Sequence, residues 1–99
     1  MVTKEEAKKY LSNVPDDRCF WVNNGPVLRN LAQLAKAISS MSNDTFSYHA
    51  NNNKNDFSSW INDVVGYKKL AGEMASSKNR ASALKKLMEN LNYLKKRAS

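Results

Sequence analysis

Apolar residues recur at helical spacing along most of the chain, and this pattern predicts an all-α fold. Over residues 26–41 the apolar positions share one helical face, which contains Val27, Leu28, Leu31, Leu34, Ala35, Ile38 and Met41. A second stripe, over residues 79–97, contains Leu84, Leu87, Met88, Leu91 and Leu94. Such spacing is typical of amphipathic helices that bury one face. We therefore expect two long helices, the second about 28 Å in length and basic.

Polar and glycine positions predict shorter helices around these two. Thr3 and Glu6 form a capping box for a helix that ends before Pro15. Further helices are expected over residues 45–50, from Asn55 or Asp56 to about residue 65, and over residues 67–75. Gly66 suits the left-handed position that ends a helix. The whole chain, residues 1–99, is thus predicted to form a single-domain irregular bundle of five to six helices with a long basic C-terminal helix.

One apolar run, residues 19–22, lacks helical spacing. It can form a β-strand, but no partner strand is evident, so we expect an extended segment packed against the helices. Asn24-Gly25-Pro26 predicts a turn, with Pro26 in the first turn of the following helix. Trp21 and Trp60 both lie within apolar patterns and are predicted to be in the core.

Charge is distributed unevenly along the chain. The 99 residues include 16 basic and 9 acidic side chains, for a net charge of +7. Residues 1–60 carry seven basic and six acidic groups, whereas residues 61–99 carry nine and three. This asymmetry favours an anionic partner, most commonly nucleic acid. The predicted nucleic-acid-binding residues are Lys68, Lys69, Lys78, Arg80, Lys85, Lys86, Lys95, Lys96 and Arg97. Because most are lysines, we expect phosphate contacts and weak sequence preference.

The sequence offers little for catalysis or for metal binding. Cys19 is the only cysteine and His49 the only histidine, and no local motif orients them as a catalytic pair. Cys19 is predicted to be a small buried apolar residue. No Cys or His pair has metal-ligand spacing, and no glycine-rich phosphate loop is present. We therefore predict no catalytic residue, no metal, no cofactor and no enzymatic activity.

A helix–loop–helix junction brings four polar residues close together in sequence: His49, Lys54, Asn55 and Asp56. One interpretation is a small polar binding site with aromatic walls. The other is purely structural, with Asp56 as a helix cap, Asn55 bonded to the loop backbone and His49 bonded to a buried carbonyl. Residue types that commonly form caps and turns favour the structural interpretation.

Several of these positions together resemble a known family. The pattern covers residues 19–75 and consists of Phe20-Trp21-Val22, Gly25, Leu31, Leu34, Phe46, Tyr48-His49, Lys54-Asn55-Asp56-Phe57, Trp60-Ile61, Asp63-Val64, Gly66 and Leu70-Ala71. It resembles a small helical domain of unknown function found in archaeal and bacterial proteins. The chain departs from the pattern at Tyr67, where an acidic residue is common. The resemblance implies an autonomous helical module without a settled activity, and it leaves residues 76–99, the basic C-terminal helix, outside the shared core.

Three functions follow as predictions. The first is a small nucleoid-associated protein that binds duplex DNA, or RNA, without sequence specificity. The second is a regulatory or protein-interaction module for an acidic partner, and the third is a small-molecule site at the His49–Asp56 junction. The leucine stripe of residues 84–94 is also compatible with a homodimer. With no secretion signal and no apolar run that crosses a bilayer, we expect a cytoplasmic protein and no membrane partner.

Overall fold

The computed structural model describes residues 1–99, which form six α-helices and one two-stranded hairpin. The predicted all-α class is confirmed, because the hairpin contributes only two short strands. None of the helices has the length and apolar character needed to cross a membrane. The helices are α1 (Lys4–Leu11), α2 (Leu31–Ser40), α3 (Asn43–His49), α4 (Asp56–Trp60), α5 (Lys68–Ala75) and α6 (Arg80–Ala98), and the strands are β1 (Phe20–Trp21) and β2 (Val27–Leu28).

Local side-chain caps begin most of the helices. The predicted capping box is present at α1, where the Thr3 hydroxyl accepts from the Glu6 N–H at 3.1 Å and the Glu6 carboxylate accepts from the Thr3 N–H at 2.9 Å. Each of these bonds satisfies a backbone N–H group that has no partner within the helix. Single side chains cap four other helices, namely Asn30 for α2, Ser42 for α3, Asn55 for α4 and Asn79 for α6.

A wide turn ends the helix that begins at Asp56. After α4 the chain continues as a π-helical turn over Ile61–Val65, and the Gly66 N–H donates to the Ile61 carbonyl at 2.7 Å. Gly66 has a φ of +86°, which confirms the left-handed position predicted there. This turn redirects the chain into α5.

Helix α6 packs against α1, α2 and α5 and provides much of the core. Leu87, Leu91 and Leu94 are fully buried, as predicted. The predicted burial of Met88 is wrong: its side chain is 42% exposed, because it lies about 100° around the helix from Leu87. Since the leucine stripe is used inside the fold, the predicted homodimer would need another surface.

An aromatic cluster joins the hairpin to α3 and α4. Phe57 is fully buried, and its ring centroid lies 5.3 Å from that of Phe20 and 5.4 Å from that of Phe46. Trp60 is buried as predicted, and its indole N–H donates to the Arg18 carbonyl at 2.8 Å. The cluster thus attaches both the hairpin and the turn before it to the helices.

The hairpin contradicts three predictions. The apolar run of residues 19–22 was expected to be an extended segment without a partner strand, but two of its residues form β1 and pair with β2. Val27 and Leu28 do not begin α2 but pair antiparallel with Trp21 and Phe20, and Pro26 lies in the loop between the strands. Strand pairing prevails here because the Pro26 carbonyl accepts from the Val22 N–H, which would otherwise lack a partner. Successive strand residues point to opposite faces, so Phe20 is buried while Trp21 is 74% exposed and not in the core.

Candidate nucleic-acid interface

The nine predicted cations fall into three structural groups. The first group is exposed and makes neither an ion pair nor a side-chain hydrogen bond within the chain. Two of its members, Lys85 and Lys96, are eleven residues apart on α6, which places them on one line about 16 Å in length. The third, Lys95, lies about 100° around the helix from Lys96, and the fourth, Lys78, lies just before the helix cap, beside the loop of residues 51–55. We call these four free lysines, Lys78, Lys85, Lys95 and Lys96, the free cationic face of α6.

The second group consists of two arginines that hold α6 in place. Arg80 donates to the carbonyls of Ile38 at 3.2 Å and Ser39 at 3.3 Å, at the C-terminal end of α2. The Arg97 Nε donates to the Val2 carbonyl at 2.9 Å. The Arg80 guanidinium is thus held by the backbone of α2, whereas Arg97 is bonded through Nε alone and its two terminal nitrogens have no partner within the chain.

The third group lies in a groove of about 720 Å³ between α1, α5 and α6. The groove contains Lys68, Lys69 and Lys86, but Glu6, Glu73 and Glu89 line it as well. The Lys69 Nζ is 2.8 Å from the Glu73 carboxylate, and their hydrogen bond raises the pKa of Lys69 and lowers the pKa of Glu73. Matched lysines and glutamates make this groove much less attractive to phosphate than the α6 face is.

Asn90 organises the floor of the same groove and was not predicted from the sequence. It is 3% exposed, and its amide donates to the Glu73 carboxylate and to the Lys86 carbonyl, both at 2.8 Å. Its carbonyl oxygen accepts from the Tyr67 hydroxyl and from the Lys69 Nζ, both at 3.2 Å. Every polar atom of the side chain is satisfied, which makes Asn90 a structural link between α5 and α6. The one feature of the sequence that could have identified Asn90 is its position as a polar residue within the apolar stripe of α6.

The polar junction does form one cluster, and its centre is buried. His49 is 4% exposed, and its Nδ1 lies 3.0 Å from the Asp56 carboxylate while its Nε2 accepts from the Asn23 N–H at 3.0 Å. This pairing fixes the neutral tautomer with the proton on Nδ1. The Lys54 Nζ also contacts the Asp56 carboxylate at 3.0 Å. Both ring nitrogens of His49 are occupied inside the fold, so neither faces a ligand.

Electrostatics at the junction favour a charged carboxylate. Partial burial acts to raise the pKa of Asp56, but hydrogen bonds from His49 and Lys54 outweigh it and hold the pKa below its ordinary value. The observed hydrogen bonds differ from the structural interpretation in two roles. Asn55, not Asp56, caps α4 and also donates to the Met74 carbonyl at 3.1 Å, and His49 accepts from a backbone N–H rather than bonding to a carbonyl.

Cys19 and His49 do not form a catalytic pair. The Cys19 thiol is partly buried and lies 3.7 Å from the Pro15 carbonyl, whereas the His49 nitrogens contact Asn23 and Asp56. Cys19 is therefore less buried than predicted: it packs against the edge of the core, and its thiol faces the Pro15 carbonyl.

Comparison with protein-family models, with curated proteins and with solved structures found no match to this chain. The resemblance of residues 19–75 to a helical domain of unknown function stays a prediction.

Proposed function

We propose that this protein binds nucleic acid, duplex DNA in the first place, without sequence specificity and through the free cationic face of α6. The observation that supports the proposal is that these four lysines are exposed and have no partner within the chain. Desolvation and competing ion pairs therefore do not reduce their attraction to phosphate. The α6 face lies outside the region of the family resemblance, so the proposal does not depend on that resemblance.

The chemistry of the face favours backbone contacts over base recognition. Lysine presents a point charge on a flexible stem, which suits phosphate oxygens in many geometries. Of the two arginines of α6, Arg80 is bonded to two backbone carbonyls and would have to give up these bonds to contact a base edge, which leaves Arg97 as the one arginine with free terminal nitrogens. A nucleoid-type role, in which many weak sites along DNA are occupied, fits this arrangement.

The test is a fluorescence-anisotropy titration of a labelled random-sequence duplex at several salt concentrations. Four phosphate contacts predict that log affinity falls with log salt with a slope of about 3.6. Changing the four lysines to glutamine should abolish most of that slope. The matched control removes four exposed, unpaired lysines elsewhere: Lys4, Lys8, Lys9 and Lys36.

The outcomes separate the hypotheses. If the control variant loses affinity as much as the α6 variant does, net charge and not this face is responsible. An absence of binding at low salt by folded protein contradicts the proposal. Tighter binding to an RNA duplex than to DNA would change the ligand but leave the face assigned. The alternative function, a module for an acidic protein partner, is supported by a different surface.

A further inference from the structure

The outer face of the hairpin carries an exposed apolar pair. Trp21 and Val27 are directly opposite each other in the β1–β2 register and are 74% and 39% exposed. Their neighbours Phe20 and Leu28 point into the core and hold the hairpin against the helices. Tryptophan is enriched among the residues that contribute most to binding at protein interfaces, so this exposed pair is a candidate contact surface.

The backbone beside this pair is also open. The Val22 N–H donates to the Pro26 carbonyl at 3.1 Å, so the adjacent Trp21–Val27 pair is the non-hydrogen-bonded type. In such a pair the N–H and C=O groups of both residues point away from the partner strand. The edge of β1 faces α3, because the next outward N–H, that of Asn23, donates to the buried His49. On the edge of β2 the groups of Arg29 are bonded to Gln33 and Val14, whereas the Val27 N–H and C=O have no partner, so a second strand can form one pair of main-chain hydrogen bonds there.

A groove of about 490 Å³ adjoins the hairpin and reaches the residues of α2 and α3. Val27 and Leu28 line one side, and Ala37 and Met41 provide apolar surface on the other. The only charged residue that lines the groove is Lys36, and no carboxylate does. The groove contains no residue of α6, so it is separate from the proposed nucleic-acid face.

We propose that this hairpin face binds an extended, acidic segment of a partner protein. The segment would pair with the open edge at Val27, place an apolar side chain in the groove and an acidic side chain near Lys36. The free N–H and C=O of Val27 supply one pair of main-chain hydrogen bonds, while the groove and the lysine select the side chains of the segment. A single cation is too little for a nucleic-acid backbone, whereas the apolar surface, the open edge and the absence of carboxylates suit a peptide.

The test begins with a phage-displayed library of random linear dodecapeptides selected on the full-length protein. We expect enriched peptides with an apolar residue and an acidic residue on the same face of a strand. Trp21→Ala should weaken a labelled enriched peptide about tenfold or more, and Lys36→Glu should weaken it as well. N-methylation of the peptide backbone at the position that pairs with Val27 should abolish binding, because strand addition needs that N–H. Tyr93→Ala, which removes a different exposed aromatic side chain, is the matched control and should have no effect.

Other results would overturn the proposal. These are no enriched peptide, peptides that bind Trp21→Ala as well as the unaltered protein, a Trp21-dependent dimer in sedimentation, or oligo-dT that quenches Trp21 fluorescence. Lys36→Glu keeps the test decisive if Trp21→Ala fails to fold. The peptide should still bind to the variant in which the four lysines of the α6 face are glutamine. That result would show that peptide binding and nucleic-acid binding use different surfaces.

Discussion

Removal of the His49 side chain should destabilise the fold more than its position at a polar junction suggests. The ring links three segments: α3, which carries it, the hairpin loop through the Asn23 N–H, and the start of α4 through Asp56. In His49→Ala the Asn23 N–H loses its partner, at a cost of about 1–3 kcal/mol. The emptied ring volume beside Phe20 and Phe57 adds about 2 kcal/mol. Loss of the hydrogen bond to Asp56 adds little to the destabilisation, because this carboxylate is partly exposed and keeps its contact with Lys54.

The expected loss is therefore about 3–5 kcal/mol of a total stability of about 5–15 kcal/mol. Urea unfolding followed by far-UV circular dichroism measures it, and Asp56→Asn is the matched control. The new amide oxygen can still accept the Nδ1–H of His49, so that variant should lose less than about 1 kcal/mol. Hydrogen exchange at the Asn23 amide should accelerate in His49→Ala before global unfolding occurs.

One result would refute this reasoning. If His49→Ala lost less than about 1 kcal/mol and left exchange at Asn23 unchanged, the ring would not connect the hairpin to α3 and α4. The binding-site interpretation of the junction would then regain support, since a buried histidine without structural effect needs another explanation.

Two further predictions concern the loss of stability at acidic pH and the replacement of two glycines by alanine. The pKa values of Asp56 and Glu73 are lowered in the folded state, so the unfolded chain takes up protons first as the pH falls. The stability that these two carboxylates contribute is present above about pH 4.5, the upper end of the ordinary carboxyl range, and is lost as the pH falls through their folded-state pKa values. In thermal melts, the melting temperature of a double Asp56→Asn, Glu73→Gln variant should therefore fall less steeply with decreasing pH than that of the unaltered protein. Gly66→Ala should cost about 1 kcal/mol, because a Cβ at a φ of +86° is strained although the space is open. Gly72→Ala, inside α5 and also in open space, should gain about 0.5–1 kcal/mol, and equal effects in urea unfolding would contradict the conformational argument.

Helix positions were predictable because their signals are local. The capping box at Thr3, the glycine at residue 66 and the leucine spacing of α6 depend on residues three or four positions apart, and the structure contains each of them. The predicted start of α2 was wrong because the interaction that decides it is not local. Val27 and Leu28 fit the helical periodicity, and only pairing with a strand seven residues away excludes them from the helix.

The candidate site was predictable only in part. The basic composition of residues 76–99 identified where the cations lie in the sequence. It did not separate the lysines that remain free from Lys69, which pairs with Glu73, or from Arg80, which binds the end of α2. The exposure of Trp21 was missed because an apolar run predicts burial of all its members, although a strand buries only alternate ones.

The sequence by itself determined an all-α chain with capped helices and a basic C-terminal helix, because periodicity, caps and net charge follow from neighbouring residues. Only the tertiary structure decided which polar groups meet. The Asn23–His49 bond spans 26 residues and the Arg97–Val2 bond spans 95. Such contacts depend on how distant elements pack, and their packing decides which cations and which tryptophan remain available to a partner.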